Sequence, residues 1–313
     1  MSQNLGLAPD VTGASRHAQN ATGKQIRVES LPQATVAIIG LGLMGGSLAG
    51  ALRGKCKTVL GIARRKEAVQ KALELALIDR GTSSLKEGVR EADVVVLAIP
   101  VRAIINQLPV IAALLPDGCL LMDLGSTKAN IVEVMANLPP NIQVLGAHPM
   151  CGKEKSGIEV AEPALYQGRT FILSPLARTS EKALALGQQL ARAVGASPLV
   201  IEAARQDYLT AAVSHLPYML ACALVKTCDA TVSNDPLIWK IVAGGFRDTS
   251  RVAGSDVTMM LDILLTNRGE IVNAMTECAA HLQQLAQLVA ESDEEKLDRV
   301  LTKIRETRRE MFP

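Results

Sequence analysis

The sequence predicts an α/β protein: a Rossmann-like, doubly wound, mostly parallel sheet followed by an all-helical dimerisation domain. Three observations predict it. Short β-branched runs alternate with helix-forming stretches from residue 34 onward, the first run passes straight into a glycine-rich turn, and strand signals stop near residue 203. Alternation of this kind lays strands side by side in parallel with helices on both faces, and strands buried on both faces read as continuous apolar runs.

Taken in order, residues 1–32 are polar and rich in Gly, Ser and Ala. They have no apolar h-region and read as a disordered tail, not a secretory leader. The strand runs are ATVAII (34–39), KTVLGI (57–62), VVVLAI (94–99), CLLMD (119–123), QVLGA (143–147), TFIL (170–173) and PLVIE (198–202). Helical stretches at 43–53, 66–77, 101–114 and 128–137 separate the first five, and 181–194 is another helix former. After residue 203, helices are expected at 205–230, 236–245, 256–268, 269–290 and 293–310. In the fourth of these, Ile271, Met275, Cys278, Leu282, Leu285 and Val289 step by 4, 3, 4, 3 and 4, one apolar stripe with a heptad seam. Such a stripe suits either an ordinary core face or the interface of a homodimer. The expected division is a tail at 1–32, a dinucleotide-binding domain at 33–203 and a helical substrate and dimerisation domain at 204–313.

Composition excludes several classes. Aromatics make up 2% of the 313 residues and net charge is +2 without a basic run, so neither base stacking nor phosphate-backbone binding is indicated, and no nucleic-acid partner is expected. Six cysteines without a CxxC pair read as reduced thiols of a cytoplasmic protein with no metal site. No apolar run is read as long enough to span a membrane. The expected partner is a small-molecule substrate.

The first strand runs into GLGLMGGSLAG. Gly40, Gly42 and Gly45 form G-x-G-x-x-G between a strand and a helix. The first glycine permits the tight turn, the second lets backbone approach a pyrophosphate, and the third lets helix and strand pack closely. Leu43 and Met44 in this turn, and Pro100 after the third strand run, complete the expected cofactor contacts around the nicotinamide side. The second strand ends in LGIARR. An NAD-selective site usually places an acid there for the ribose 2′-hydroxyl; here Ala63 takes that position, with Arg64 and Arg65 next. The pattern points to NADP as cofactor, with NAD used less efficiently.

DLGSTK follows the fourth strand run and HPMCGKEKSG the fifth. Ligands of open α/β sheets sit beyond the carboxyl ends of strands, so Ser126 and His148 are expected at the crevice that holds the nicotinamide. A histidine there suits proton removal from a hydroxyl near neutral pH. In the helical region VSHLPYML carries His215, and GGFRDTSRVAGSD carries Arg247, Asp248, Arg251 and Asp256, a solvated turn or a carboxylate clamp.

With these motifs the sequence resembles the prephenate/arogenate dehydrogenase family of tyrosine biosynthesis, from about residue 34 to about residue 310. The resemblance implies oxidative decarboxylation of prephenate or arogenate, giving 4-hydroxyphenylpyruvate or tyrosine. It implies that His148 bonds the ring C4 hydroxyl and helps remove its proton, that Ser126 bonds the same hydroxyl or His148, and that His215 contacts substrate. Arg251 would bind a substrate carboxylate, with Arg247 and Asp248 in support, and Glu154 could pair with the ammonium of arogenate. Met260, Val257 and Tyr218 depart from residues found in some relatives (Trp, Pro and a second His), which bears on substrate selectivity. With the chain ending at Pro313, no regulatory domain is expected, so feedback by tyrosine would act at the active site. Two other readings compete: a β-hydroxyacid dehydrogenase, disfavoured by a histidine centre in place of a lysine, and a non-catalytic NADP-sensing protein, which would need neither Ser126, His148 nor Arg251.

Overall fold

The computed structural model describes residues 25–153, 155–232 and 235–311. Its sheet has eight strands in the order β3-β2-β1-β4-β5-β6-β7-β8. They are β1 (Thr35–Ile39), β2 (Thr58–Ile62), β3 (Arg80–Thr82), β4 (Val94–Leu97), β5 (Leu120–Asp123), β6 (Gln143–Pro149), β7 (Thr170–Ser174) and β8 (Ser197–Val200). All neighbours pair in parallel except β6 and β7. Helices α1 (Leu43–Leu52), α2 (Lys66–Glu74), α3 (Leu85–Val89), α4 (Val101–Ala112), α5 (Ala129–Ala136) and α6 (Glu181–Ala193) fill the connections. Strand order reverses between β1 and β4, and a crevice opens at their carboxyl ends.

Every residue of β1, β4 and β5 is buried, as their unbroken apolar runs require. Side chains still alternate between faces: Val36 and Ile38 of β1 join the core under α1 and α6, while Ala37 and Ile39 join the core under α4 and α5. Each fully buried Ile or Leu contributes roughly 1.5–3 kcal/mol, so the sheet is the rigid base of the crevice.

Three sequence expectations for the sheet domain change. Strand β3 was not foreseen, because Arg-Gly-Thr carries no apolar signature; the strands after it are therefore one later in the count. His148 lies inside β6 instead of after it, because β6 leaves β5 after Leu145 and continues by pairing antiparallel with β7, His148 opposite Ile172. Residues 25–32 belong to the folded core: Ile26 and Leu31 are buried, and Arg27 bonds the Asp93 carboxylate at 3.0 Å. Residues 1–24 lie outside the described residues.

Beyond Val200 the chain is helical: α7 (Ala203–Thr210), a wide π turn (Ala211–His215), α8 (Leu216–Val232), α9 (Gly244–Ser250), α10 (Val257–Thr266), α11 (Arg268–Glu291) and α12 (Glu294–Met311). The π turn immediately precedes Pro217, which has no N–H to give Val213. The expected helix at 236–245 is instead a short 3-10 turn at Pro236–Lys240 ahead of α9, as Gly244 and Gly245 start a new helix. The rod Ala203–Thr231 is long and apolar enough to cross a membrane by length and composition alone, which corrects the expectation that no run is. Its first turns instead bury Gln206, Asp207, Thr210 and His215, and only 22% of its apolar window is buried. The helices share a small apolar core of Ala211, Met260, Ile263 and Ile271. Of the six stripe residues in α11 only Ile271 is buried; Leu282 is 56% and Val289 64% exposed.

Candidate active site

The glycine turn is built for a phosphate. Gly40 holds φ +102°, and a Cβ on Gly45 would lie 1.8 Å from the Gly40 carbonyl, so neither position admits a side chain. Nothing lies within 4 Å of a Cβ placed on Gly42, the residue before α1, and no side chain caps that helix. Free N–H groups therefore face open space at a helix N-terminus, which fits a dinucleotide pyrophosphate. Ala63 is half-buried at the end of β2; Arg64 and Arg65 beyond it are exposed. Among the described residues no cluster of His, Cys, Asp or Glu could hold a metal, and all six cysteines are free thiols.

A cavity of about 310 Å³ continues from this turn across the carboxyl ends of β1, β4 and β5. The nucleotide domain lines it with Gly42, Leu43, Met44, Pro100 and Ser126; α10 and its approach add Asp256, Met259 and Asp262; Lys153 and Lys155 come from the loop after β6. Lys153 is paired with Glu162. Glu154 lies outside the described residues.

His148 and Ser126 are held together by a residue that sequence reasoning missed. Gln206, fully buried in α7, sets its Nε2 3.1 Å from the Ser126 carbonyl oxygen and 3.1 Å from His148 Nδ1. Thr210 Oγ1 is 3.4 Å from the same nitrogen. The Gln206 Oε1 is buried without a partner, an arrangement that costs roughly 1–3 kcal/mol. Burial, with the positive charge of Lys128 and then of His215 nearby, pushes the His148 pKa down to about 3, so the ring is neutral at ordinary pH.

Beneath this pair lies a buried ion pair, Lys128 with Asp123, both side chains without exposure. Asp123 ends β5 and accepts from Gly125 N at 2.8 Å and Ala147 N at 3.2 Å, carrying the ladder on to β6 where β5 stops. Burial pushes Asp123 up and Lys128 down; the charge of each partner on the other opposes this first, then the backbone donors on Asp123 and the charge of Asp207 beside Lys128. Both residues stood in DLGSTK, but only the fold shows them as a pair under the histidine.

The two domains are latched by carboxylates seated on helix N-termini. Asp207 of α7 accepts from Lys128 N and Ala129 N at 2.7 and 2.8 Å at the start of α5. Asp262 of α10 accepts from Arg102 N at 3.1 Å at the start of α4 and pairs with the Arg102 guanidinium. Thr127 and Thr266 share a 2.7 Å hydrogen bond between these points. Negative charge at these positive helix ends is favourable. His215 joins the same network: Asn267 Nδ2 lies 3.3 Å from its Nδ1 and donates to the Asp207 carbonyl at 2.8 Å. Burial pushes the His215 pKa down to about 4.

The structure thus brings Ser126, His148 and His215 into one bonded region, in which Ser126 lines the cavity and the two histidines are buried off its wall. It does not bring Arg247, Asp248 or Arg251 to the cavity wall of the single chain; they are exposed on α9 and the turn after it, a segment packed on α8.

A family model described as prephenate dehydrogenase, nucleotide-binding domain, matches residues 48–200, and one described as prephenate dehydrogenase, dimerization domain, matches residues 202–303. The prephenate dehydrogenase of Bacillus subtilis is 33% identical over 269 residues, 85% of this chain and 72% of that protein. The crystal structure of prephenate dehydrogenase from A. aeolicus, in complex with hydroxyphenyl propionate and NAD+, is similar with TM-score 0.83 at 32% identity, over 90% of this chain and 99% of that one. Synechocystis arogenate dehydrogenase is similar with TM-score 0.78 at 28% identity, over 88% and 99%.

Proposed function

The chain belongs to the prephenate dehydrogenase family, and on that premise we propose an oxidoreductase that decarboxylates prephenate oxidatively, accepting arogenate as a second substrate. The observation that carries the site assignment is a neutral, buried His148 tied through Gln206 to Ser126, which lines the glycine-turn cavity. The nicotinamide, when bound, accepts hydride from the ring C4. As that bond breaks, the bond from ring C1 to its carboxylate breaks too, its electron pair enters the ring, carbon dioxide leaves and the ring becomes aromatic. Reactant and product both carry a hydroxyl at C4, so no net proton leaves. His148 shares the hydroxyl proton while positive charge builds at C4 and returns it to the phenol. A ring whose conjugate acid lies near 3 suits sharing better than keeping a proton.

Arg251 is proposed to hold a substrate carboxylate, with Arg247 and Asp248 in its ionic surroundings and Glu154 near the side chain. Guanidinium geometry suits a carboxylate, and Asp256, five residues past Arg251, already lines the cavity. Steady-state assays of prephenate and arogenate, each with NAD and NADP, test the assignment; turnover of neither would sink it.

The cofactor is a nicotinamide dinucleotide, and NADP is the proposed preference. Ala63 offers no carboxylate to repel a 2′-phosphate, and Arg64 and Arg65 stand exposed beside it. A charge-assisted bond is worth roughly 1.5–3 kcal/mol, so Arg64 supports about 10- to 150-fold preference. Arg64→Ala should lower kcat/KM with NADP and spare NAD, and Ala63→Asp should move selectivity toward NAD. Equal wild-type efficiency with both cofactors would overturn this preference.

A homodimer is the proposed assembly. The exposed stripe of α11 supports it, together with the match of residues 202–303 to a dimerization domain. A glutamate at Leu282 would be buried unpaired in that interface. Sedimentation of Leu282→Glu should show monomer or unfolded protein; a folded, dimeric variant would take the stripe out of the interface.

A further inference from the structure

Gln206 bonds both the Ser126 carbonyl and His148 Nδ1, and its amide is half satisfied. Its nitrogen faces three acceptors while its buried oxygen faces none. The Ser126 carbonyl can only accept, so in the arrangement seen the nitrogen side of the amide points at Ser126 and at His148 Nδ1. Nδ1 then accepts, and the ring's proton sits on Nε2. In that tautomer His148 has no lone pair at Nε2 for a substrate hydroxyl. Turning the amide over about its last bond brings Oε1 onto Nδ1. The oxygen then accepts from Nδ1–H, Nε2 becomes a bare lone pair, and the orphaned acceptor gains a partner at the expense of the bond to Ser126.

We propose that Gln206 is a positioning residue that selects the tautomer of His148, the two orientations of its amide being the resting and the working states of the ring. This rests on the reading of His148 as acceptor for the C4 hydroxyl. The driving force for the exchange is local. Ser126 lines the cavity, so a ligand that shifts the backbone at Ser126 weakens the bond that favours the resting orientation. No charge moves and no proton is lost to solvent; one proton is relocated between the ring nitrogens. Other groups acting on this pair are Thr210, 3.4 Å from the amide nitrogen, and the charges of Lys128 and His215 on the ring. Among the described residues Gln206 is the group that bonds His148 Nδ1.

The chain has four histidines, so the imidazole nitrogen resonances of His148 can be assigned by difference against His148→Asn. The measurement is their chemical shifts in the resting protein and in a complex with cofactor and 4-hydroxyphenylpyruvate, beside kcat as a function of pH. Wild type should carry its proton on Nε2 at rest and on Nδ1 in the complex. Gln206→Met should lose this selection and lower kcat about 10- to 100-fold, with the KM for cofactor held within about twofold, a share of the usual acid–base contribution. Gln206→Glu, which has acceptors only and nearly the same shape, should hold the Nδ1–H tautomer. It should retain most of kcat and move the acid limb of its pH profile upward, because a carboxylate stabilises the protonated ring. One tautomer throughout in wild type, or unaltered shifts in Gln206→Met, would overturn the proposal. Altered tautomers with undiminished kcat would instead overturn the acceptor role of His148 on which it rests.

Discussion

Replacing His148 by asparagine should lower kcat by roughly 10²-fold or more, the ordinary size of an acid–base contribution, and leave cofactor affinity nearly unchanged. The proposed phosphate site is the glycine turn at the start of α1, whereas His148 sits in β6, so the two functions separate along the chain. Substrate deuterated at C4 provides the check: near-normal turnover in the variant, with a primary isotope effect showing that chemistry limits the rate, would remove His148 from the reaction. The pH profile is informative too. A conjugate acid near 3 keeps the ring neutral through the neutral and mildly acid range, so wild-type activity should hold well below the usual histidine pKa near 6.5. Stability follows the same group. The folded pKa is depressed, so between about 3 and 6.5 the unfolded chain binds the extra proton. His148 therefore contributes full stability above 6.5, and that contribution is lost as pH falls toward 3.

Lys128→Met should cost about 3–5 kcal/mol, the usual penalty for stranding one member of a buried ion pair. The Asp123 carboxylate would remain without exposure, losing its ammonium while keeping the two backbone donors at Gly125 and Ala147. Thermal unfolding should show a drop on the order of 10 °C. Its sign with pH is distinctive. Asp123 is already pushed above its usual range by burial, and without Lys128 it rises further. The folded variant then binds more protons than the unfolded chain, so its deficit should shrink in acid and grow as pH rises through the folded pKa. A second change, Asp123→Leu, should recover part of the loss, since an apolar pair of similar size often replaces a buried ion pair at little cost. A Lys128→Met protein with wild-type melting behaviour would show that the pair carries no weight.

How far these features could be read from the sequence differs by their range along the chain. The glycine turn, the runs of β1, β4 and β5, and the end of β2 at Ala63–Arg65 are local signals, and the fold keeps them where the sequence puts them. The family resemblance rests on the same local motifs, and the matches at 48–200 and 202–303 agree with it. Direction of pairing is not local: nothing in TFIL distinguishes an antiparallel β7 from a parallel one, and that pairing is what draws His148 into a strand. Gln206 meets His148 across 58 residues and Asp207 meets Ala129 across 78. No spacing rule connects such partners, so nothing in RQD marks its glutamine and aspartate as buried. The surface of α11 was ambiguous for a different reason: a stripe that faces a core and one that faces another subunit have the same period.

The latch between the domains has a consequence for exchange with heavy water. The amide hydrogens of Arg102, Lys128 and Ala129 are bonded to carboxylates carried by the helical domain, whereas amides deeper in α4 and α5 are bonded within their own helices. Deuterium can therefore enter the first three by a parting of the domains that leaves both helices wound, and enters the rest only when the helices themselves unwind. These three protons form a clock for the crevice. Their exchange rate, set beside the turnover number, tells whether the protein opens along this seam once per catalytic cycle or stays shut through many.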